Sequence, residues 1–316
     1  MKIAVMGAGA VGGFFGATLA RSGEDVSLIT RGDHLMAIQK KGVQILSEKG
    51  SYVIKVPCTE NPKEIGPVDL IIHSVKTYHN PQAIQQILPL IKKGTTLVCM
   101  QNGVDTWQKL QNYVPSVTVV PAAVYIEANV SGPGIIRQEG NVLRLILGAT
   151  KDSSAGHIKA ISKTLTKSGI ECIISSNISE ILWNKWLFIS TLAGVTCAAR
   201  ANLSDIIKFP ESTTLLRNVM GEIVNIANHE GIDLATDIIE TTIKYMEEEA
   251  TSLKASMYSD LQAGKPMELD ALTGTVVRLA KKWGLPVPAN QAIYAMLKPI
   301  ASKHQLAYHQ KSEKTG

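Results

Sequence analysis

Three glycines near the start of the chain, Gly7, Gly9 and Gly12, stand at G-x-G-x-x-G spacing within KIAVMGAGAVGGFFGATLARSG. An apolar run precedes them and an amphipathic stretch follows, so the motif reads as the turn between a strand and a helix. In that setting the first glycine allows the tight turn, the second lets backbone approach a pyrophosphate, and the third lets helix pack on strand. The helix start adds unpaired N–H groups and a partial positive charge. Gly7, Ala8, Gly9, Ala10, Val11 and Gly12 are therefore candidate dinucleotide-binding residues. A glycine-rich turn also serves as a plain connection; the strand before it and the helix after it favour the coenzyme.

The choice of dinucleotide turns on the end of the second strand, DVSLIT. A carboxylate there would bind a ribose 2′-hydroxyl, but the strand ends at Thr30 and Arg31 follows. A guanidinium suits a 2′-phosphate, so NADP(H) is expected over NAD(H). The alternative is a solvated Arg31, with Asp33 taking the ribose. Lys76 follows the apolar run LIIHSV, and Asn102 follows LVCM. Both fall where parallel strands present ligands, although Asn-Gly is also common in plain turns.

Two further residues suit proton chemistry. Lys185 lies in EILWNKWLFIS; on a helix its neighbours one turn away are Ile181, Leu182, Phe188 and Ile189, all apolar. Such a lysine either extends its tip to water or, held in the apolar wall, gives up its proton more readily and can act as a general acid. Glu268 is expected just inside a helix entered at Pro266. The helix dipole favours a carboxylate there, and Glu268 borders the core stripe Leu269, Leu272, Val276 and Leu279.

The elements that must position these groups come in two kinds. In the first half, apolar β-branched runs such as VDLIIHSV alternate with helical patterns such as QAIQQILPLI, the signature of an α/β doubly wound, Rossmann-type parallel sheet. From about residue 119, VVPAAVYIEA, GIIRQEG and VLRLILG read as separate strands without helices between them, an antiparallel extension. A helix and a short strand, ECIIS, follow. Beyond that only helical spacing appears, with proline at entries and glycine at exits. The expected domains are a dinucleotide-binding domain, 1–176, and an all-α substrate and dimerisation domain, 177–316.

Bulk composition narrows the function classes. Hydrophobic residues are 45% and charged residues 19% of the 316, enough for packed cores. Aromatics at 5% give no base-stacking surface, and the net charge of +5 is scattered without a basic stripe. Neither nucleic acid nor a membrane is expected as partner, and no apolar run reads as a membrane span. The four cysteines are far apart, which argues against metal or disulfide use and for a reducing, cytoplasmic compartment. A small molecule is the expected partner, and the apolar helical half allows a homodimer.

The order GAGAVG, LITR, SVKTYH, QNGV, LWNKW, ASMYSD, GKPMELDALTG and GLPVPANQ resembles the ketopantoate reductase (2-dehydropantoate 2-reductase) family over nearly the whole chain. The resemblance implies an enzyme that reduces ketopantoate to pantoate, a step of pantothenate biosynthesis, with NADPH as hydride donor. It implies Lys185 as proton donor and Glu268 in contact with the substrate hydroxyl and the cofactor. It also implies Lys76 and Asn102 beside the nicotinamide half, Asn102 and Ser256 near substrate, and Arg31 at the 2′-phosphate. The chain departs from the family where substrate-holding asparagines are expected: Ile189 and Ala193 stand there. Arg200, in the same stretch, is the candidate replacement for carboxylate recognition. That departure leaves a reductase of another 2-oxo acid as the alternative. A non-catalytic NADP(H) sensor is a further one, disfavoured by the retained Lys185 and Glu268.

Overall fold

The computed structural model describes residues 1–148 and 155–315. They form two compact units: residues 1–101 with 105–178, and residues 102–104 with 179–316.

The first unit is built on a ten-stranded sheet in which β1 (Lys2–Met6) lies between β2 (Asp25–Ile29) and β6 (Leu70–His73), all parallel. Beyond β6 come β7 (Thr96–Cys99) and the start of β8 (Thr118–Gly132), still parallel. β8 then turns back antiparallel on β9 (Ile135–Gly148). β6 and β7 are buried at every position, as strands covered on both faces must be. Alternation assigns the faces. Ile3 and Val5 join the core that holds Phe15 and Leu19 of α1 (Ala10–Arg21) and Ile158 and Ile161 of α5 (Ala155–Lys167). Ala4 and Met6 join the opposite core, with Ile84 and Ile87 of α3 (Asn80–Ile87) and Leu110 of α4 (Thr106–Tyr113). Each large side chain so buried contributes roughly 1.5–3 kcal/mol relative to exposure.

The sheet departs from the sequence reading in three places. GIIRQEG and VLRLILG are not separate strands; they form the single strand β9, with a register shift opposite Ile126/Glu127. A short hairpin, β3 (Val43–Ser47) and β4 (Tyr52–Ile54), extends the sheet by pairing β3 with β9, and β5 (Cys58–Thr59) closes the other edge beside β2. α3 stops at Ile87 and passes into a 3₁₀ turn at Leu88–Leu90, because Pro89 has no N–H to continue the ladder. β10 (Glu171–Ser175) adds parallel to β9.

The second unit is helical: α6 (Ile178–Ala199), α7 (Leu203–Ile206), α8 (Pro210–His229), α9 (Ile238–Glu248), α10 (Ser256–Gln262), α11 (Thr273–Trp283) and α12 (Pro288–Thr315). α6 has the length and hydropathy of a membrane span, which the sequence reading did not expect, yet 67% of its most apolar window is buried inside the protein. Trp183, Trp186, Leu187 and Leu192 pack it against Leu216, Met220 and Ile223 of α8 and Val276 of α11, so it is a core helix. Gly284 ends α11 in the left-handed conformation, φ 66°.

The helix expected from Pro266 begins only at Thr273. Met267 and Leu269 are buried, Glu268 is half-buried and Asp270 is exposed. That is alternation with period two, which a helix does not produce. The Glu268 carbonyl instead accepts turn hydrogen bonds from the Ala271 and Leu272 N–H groups.

Candidate active site

In the first unit the glycine turn has the geometry its spacing predicts. Gly7 has φ +94°, and a Cβ there would lie 2.7 Å from the Val75 nitrogen, so glycine is required twice over. At Gly12 a Cβ would collide with Ser74 Oγ and the Gly7 carbonyl oxygen. Gly9 differs: no atom lies within 4 Å of where its Cβ would stand. It caps α1 with no side-chain hydrogen bond, and the first turn holds no acidic residue. The helix start thus faces open space with its amides uncapped by any side chain, the arrangement that admits a phosphate.

The turn is tied to its surroundings. The Gly7 and Ala8 N–H groups both donate to the Ile29 carbonyl at the end of β2 (3.1 and 3.0 Å). Arg31, two residues on, caps α2 (Gly32–Lys41) with an exposed side chain whose guanidinium is 3.4 Å from Gln82 Oε1. Asp33 is exposed in the first turn of α2, beyond the strand end. Lys76 is half-buried and caps a 3₁₀ turn after β6. A buried amide cluster backs it: Gln101 Nε2 donates to the Val75 carbonyl (2.6 Å) and to Asn80 Oδ1 (2.7 Å), and His73 Nε2 meets the same Asn80 oxygen at 3.0 Å. Burial lowers the His73 pKa to about 4, so its imidazole is neutral at pH 7.

In the second unit Lys185 Nζ donates to Asn102 Oδ1 at 3.0 Å, joining residues 83 apart in the chain. Asn102 is placed by Gly103, φ +114°, and by Val104, which is part of the helical core. Burial pushes the Lys185 pKa down to about 8, and the Glu268 charge opposes that shift. An amine with that pKa is mostly protonated at pH 7 and releases its proton easily, the property of a general acid near neutrality. The three residues come from a loop, a helix and an irregular segment.

The remaining sequence candidates separate. Ser256 is exposed as the first residue of α10. Ile189 is half-buried and Ala193 buried on the face of α6 that carries Lys185. Arg200 does not join the site. It terminates α6 at φ 55° with its guanidinium donating to the Cys197 carbonyl, 2.8 Å. Fifteen residues of helix put it about 22 Å along the axis from Lys185, too far for one small acid to reach both.

Sequence reasoning missed His34 on α2. Its Nε2 lies 2.9 Å from the Ala8 carbonyl oxygen, and its Nδ1 accepts from the Gly134 N–H at 3.0 Å. Both partners are backbone atoms, 26 and 100 residues away, so no side-chain pattern announces them.

Comparison with known proteins gives the family. Residues 3–152 match the family described as "Ketopantoate reductase PanE/ApbA", and residues 177–301 match its C-terminal family. The chain belongs to the ketopantoate reductase family. A 2-dehydropantoate 2-reductase of Mesorhizobium japonicum is 30% identical, over 95% of this chain and 98% of the relative. An uncharacterized oxidoreductase of Bacillus subtilis, YkpB, is 28% identical over 94% and 98%. Among solved structures, a family ketopantoate reductase from Ralstonia eutropha JMP134 superposes with TM-score 0.89 at 28% identity, covering 96% of this chain and 100% of that one. A D-mandelate dehydrogenase solved with NADH and anilino(oxo)acetate gives TM-score 0.87 at 26% identity, with 96% and 99% covered. Family and neighbours together imply a nicotinamide nucleotide, and the open, uncapped turn at Gly9 fits its pyrophosphate.

Proposed function

We propose that this chain reduces the ketone of a small 2-oxo acid with NADPH, and that 2-dehydropantoate is its first candidate substrate. The observation that carries the reading is the Lys185–Asn102 pair beside Glu268. It is a proton donor with a pKa near 8, oriented by an amide oxygen, in a family of reductases. The coenzyme supplies the hydride when bound; the residues of the chain do the rest.

The amides at the start of α1 take the pyrophosphate, and Arg31 takes the 2′-phosphate in preference to a ribose hydroxyl. Asn102 holds Nζ of Lys185 in one direction by accepting one of its three protons. As negative charge grows on the ketone oxygen, Nζ donates a proton to it. Glu268 accepts from the substrate hydroxyl, and its charge keeps Lys185 protonated at pH 7. Ser256 and Lys76 are assigned to the substrate carboxylate and the nicotinamide half on the family resemblance.

A second reading keeps the chemistry and changes the acid. Ile189 and Ala193 offer no hydrogen bond to a substrate hydroxyl, and a site that does not bind a hydroxyl discriminates weakly against acids lacking one. The likeness to a D-mandelate dehydrogenase is in keeping with an apolar or aromatic 2-oxo acid. The test is a panel of 2-oxo acids mixed with the protein, each with NADPH and with NADH, followed by loss of nicotinamide absorbance. Highest kcat/KM for ketopantoate with NADPH supports the first reading. A branched or aromatic acid ahead of it supports the second. NADH used as well as NADPH removes the role given to Arg31, and no turnover with any acid removes both readings.

A further inference from the structure

We infer that His34 is a positioning residue for the coenzyme turn: by holding the Ala8 carbonyl oxygen, it aims the Gly9 amide. This rests on the reading that the turn binds a nicotinamide nucleotide.

The hydrogen bonds fix the state of the ring. A backbone N–H only donates, so Nδ1, which receives the Gly134 N–H, carries no proton. The single proton of the neutral ring is then on Nε2 and points at the Ala8 oxygen. Burial favours this neutral form and holds the His34 pKa below its usual value, with the Ala8 hydrogen bond opposing. The ring is thus a directional link, accepting on one side and donating on the other.

The far end of the link is anchored. Gly134 lies between β8 and β9 at φ +73°, where a Cβ would stand 3.2 Å from the Ala37 Cβ of α2. Its carbonyl accepts from the Gln44 N–H of β3 at 2.8 Å. The short β3–β4 hairpin, absent from the sequence reading, therefore helps to hold the ring that holds the turn.

The near end acts through peptide geometry. The Ala8 C=O and the Gly9 N–H belong to one planar trans unit and point in opposite directions. The Ala8 N–H is already given to Ile29, which fixes the preceding peptide plane. With the Ala8 oxygen held by His34, the Gly9 N–H is turned to the opposite side. Gly9 is exposed and borders open space. Without the link that plane loses its one directed hydrogen bond from a side chain, and more of its ordering falls to the coenzyme when it binds.

Two near-isosteric substitutions separate the two bonds. In His34→Gln the amide nitrogen can stand near Nε2 and keep the bond to Ala8. In His34→Asn the amide oxygen can stand near Nδ1 and keep the bond to Gly134. The Kd for NADPH is read by its fluorescence, with steady-state KM values for coenzyme and for the 2-oxo acid. The expected result is His34→Gln within about threefold of the parent, and His34→Asn and His34→Ala weakened about tenfold, the scale of one hydrogen bond. That loss should fall on the coenzyme KM, with the acid KM as internal reference. Retention by Asn with loss in Gln, or parent-like affinity in Ala, overturns the inference. If His34→Ala fails to fold, the Gln-against-Asn order still decides. A parent protein that binds neither NADPH nor NADH overturns the proposed function itself, a result distinct from any ranking of the variants.

Discussion

The glycine turn and the lysine cluster, the two halves of the proposed site, are built from different materials. Between Gly7 and Gly12 the working groups are backbone amides and empty space, and side chains enter only as props: Val75, Ser74 and His34. Around Lys185 the working groups are side chains brought from three separate segments. A backbone site is fixed by sterics and fails by collision. A side-chain site is tuned by burial and charge, and fails by losing a proton or its direction. Substitutions should therefore act on coenzyme binding in the first region, with loss of stability wherever a new Cβ meets protein atoms, and on catalysis alone in the second.

The largest expected effect is on chemistry. Lys185→Ala should lower kcat about 100-fold or more, the usual scale for losing a general acid, while the NADPH Kd stays within a factor of a few. Near-parental turnover would end the proton-donor role, and loss of coenzyme affinity would blur the division between the regions.

Next comes a contrast inside the turn. Gly12→Ala forces a Cβ into Ser74 and the Gly7 carbonyl, so the variant should lose about 1–3 kcal/mol of stability, the cost of overpacking. Gly9→Ala meets no protein atom and should melt within about 0.5 kcal/mol of the parent, yet bind NADPH more weakly because its methyl stands in the open space. Denaturant titration and coenzyme fluorescence on the two variants check this. Equal stability of both would show that Gly12 is not sterically required.

The smallest effect is a pH dependence. Lys185 must be protonated to act as acid, and its pKa is lowered to about 8. The rate of ketone reduction at saturating substrate should be level from pH 6 to 7, half-maximal near 8, and fall about tenfold per unit above that. Oxidation of the alcohol needs the neutral amine and should rise over the same range. A reduction rate level through pH 9.5 would assign the proton to another group.

What the sequence carried follows the same division. The glycine turn was legible because each of its requirements is local: a strand, three glycines, a helix. β1, β6 and β7 were legible because strands buried on both faces read as near-continuous apolar runs. Lys185 stood out through apolar neighbours one turn away. Its bond to Asn102 was not legible, since nothing in either segment encodes a contact across 83 residues. Glu268 was placed in a helix because a proline followed by leucines suggests one; the burial of both Met267 and Leu269 decided otherwise. Arg200 looked like a carboxylate ligand by type alone, and helix length removed it. β3 and β4 escaped notice because short, part-exposed strands carry little periodicity. His34 escaped because backbone partners leave no trace in residue type.

Asn102, Gly103 and Val104 sit in the middle of the chain's first half yet pack with the helices that begin some 75 residues later. Anyone cutting the gene at the apparent border, after residue 178, would obtain a helical fragment whose reactive amine has been parted from the amide that steers it. Such a fragment could keep its shape and would still lack a piece of its own machinery.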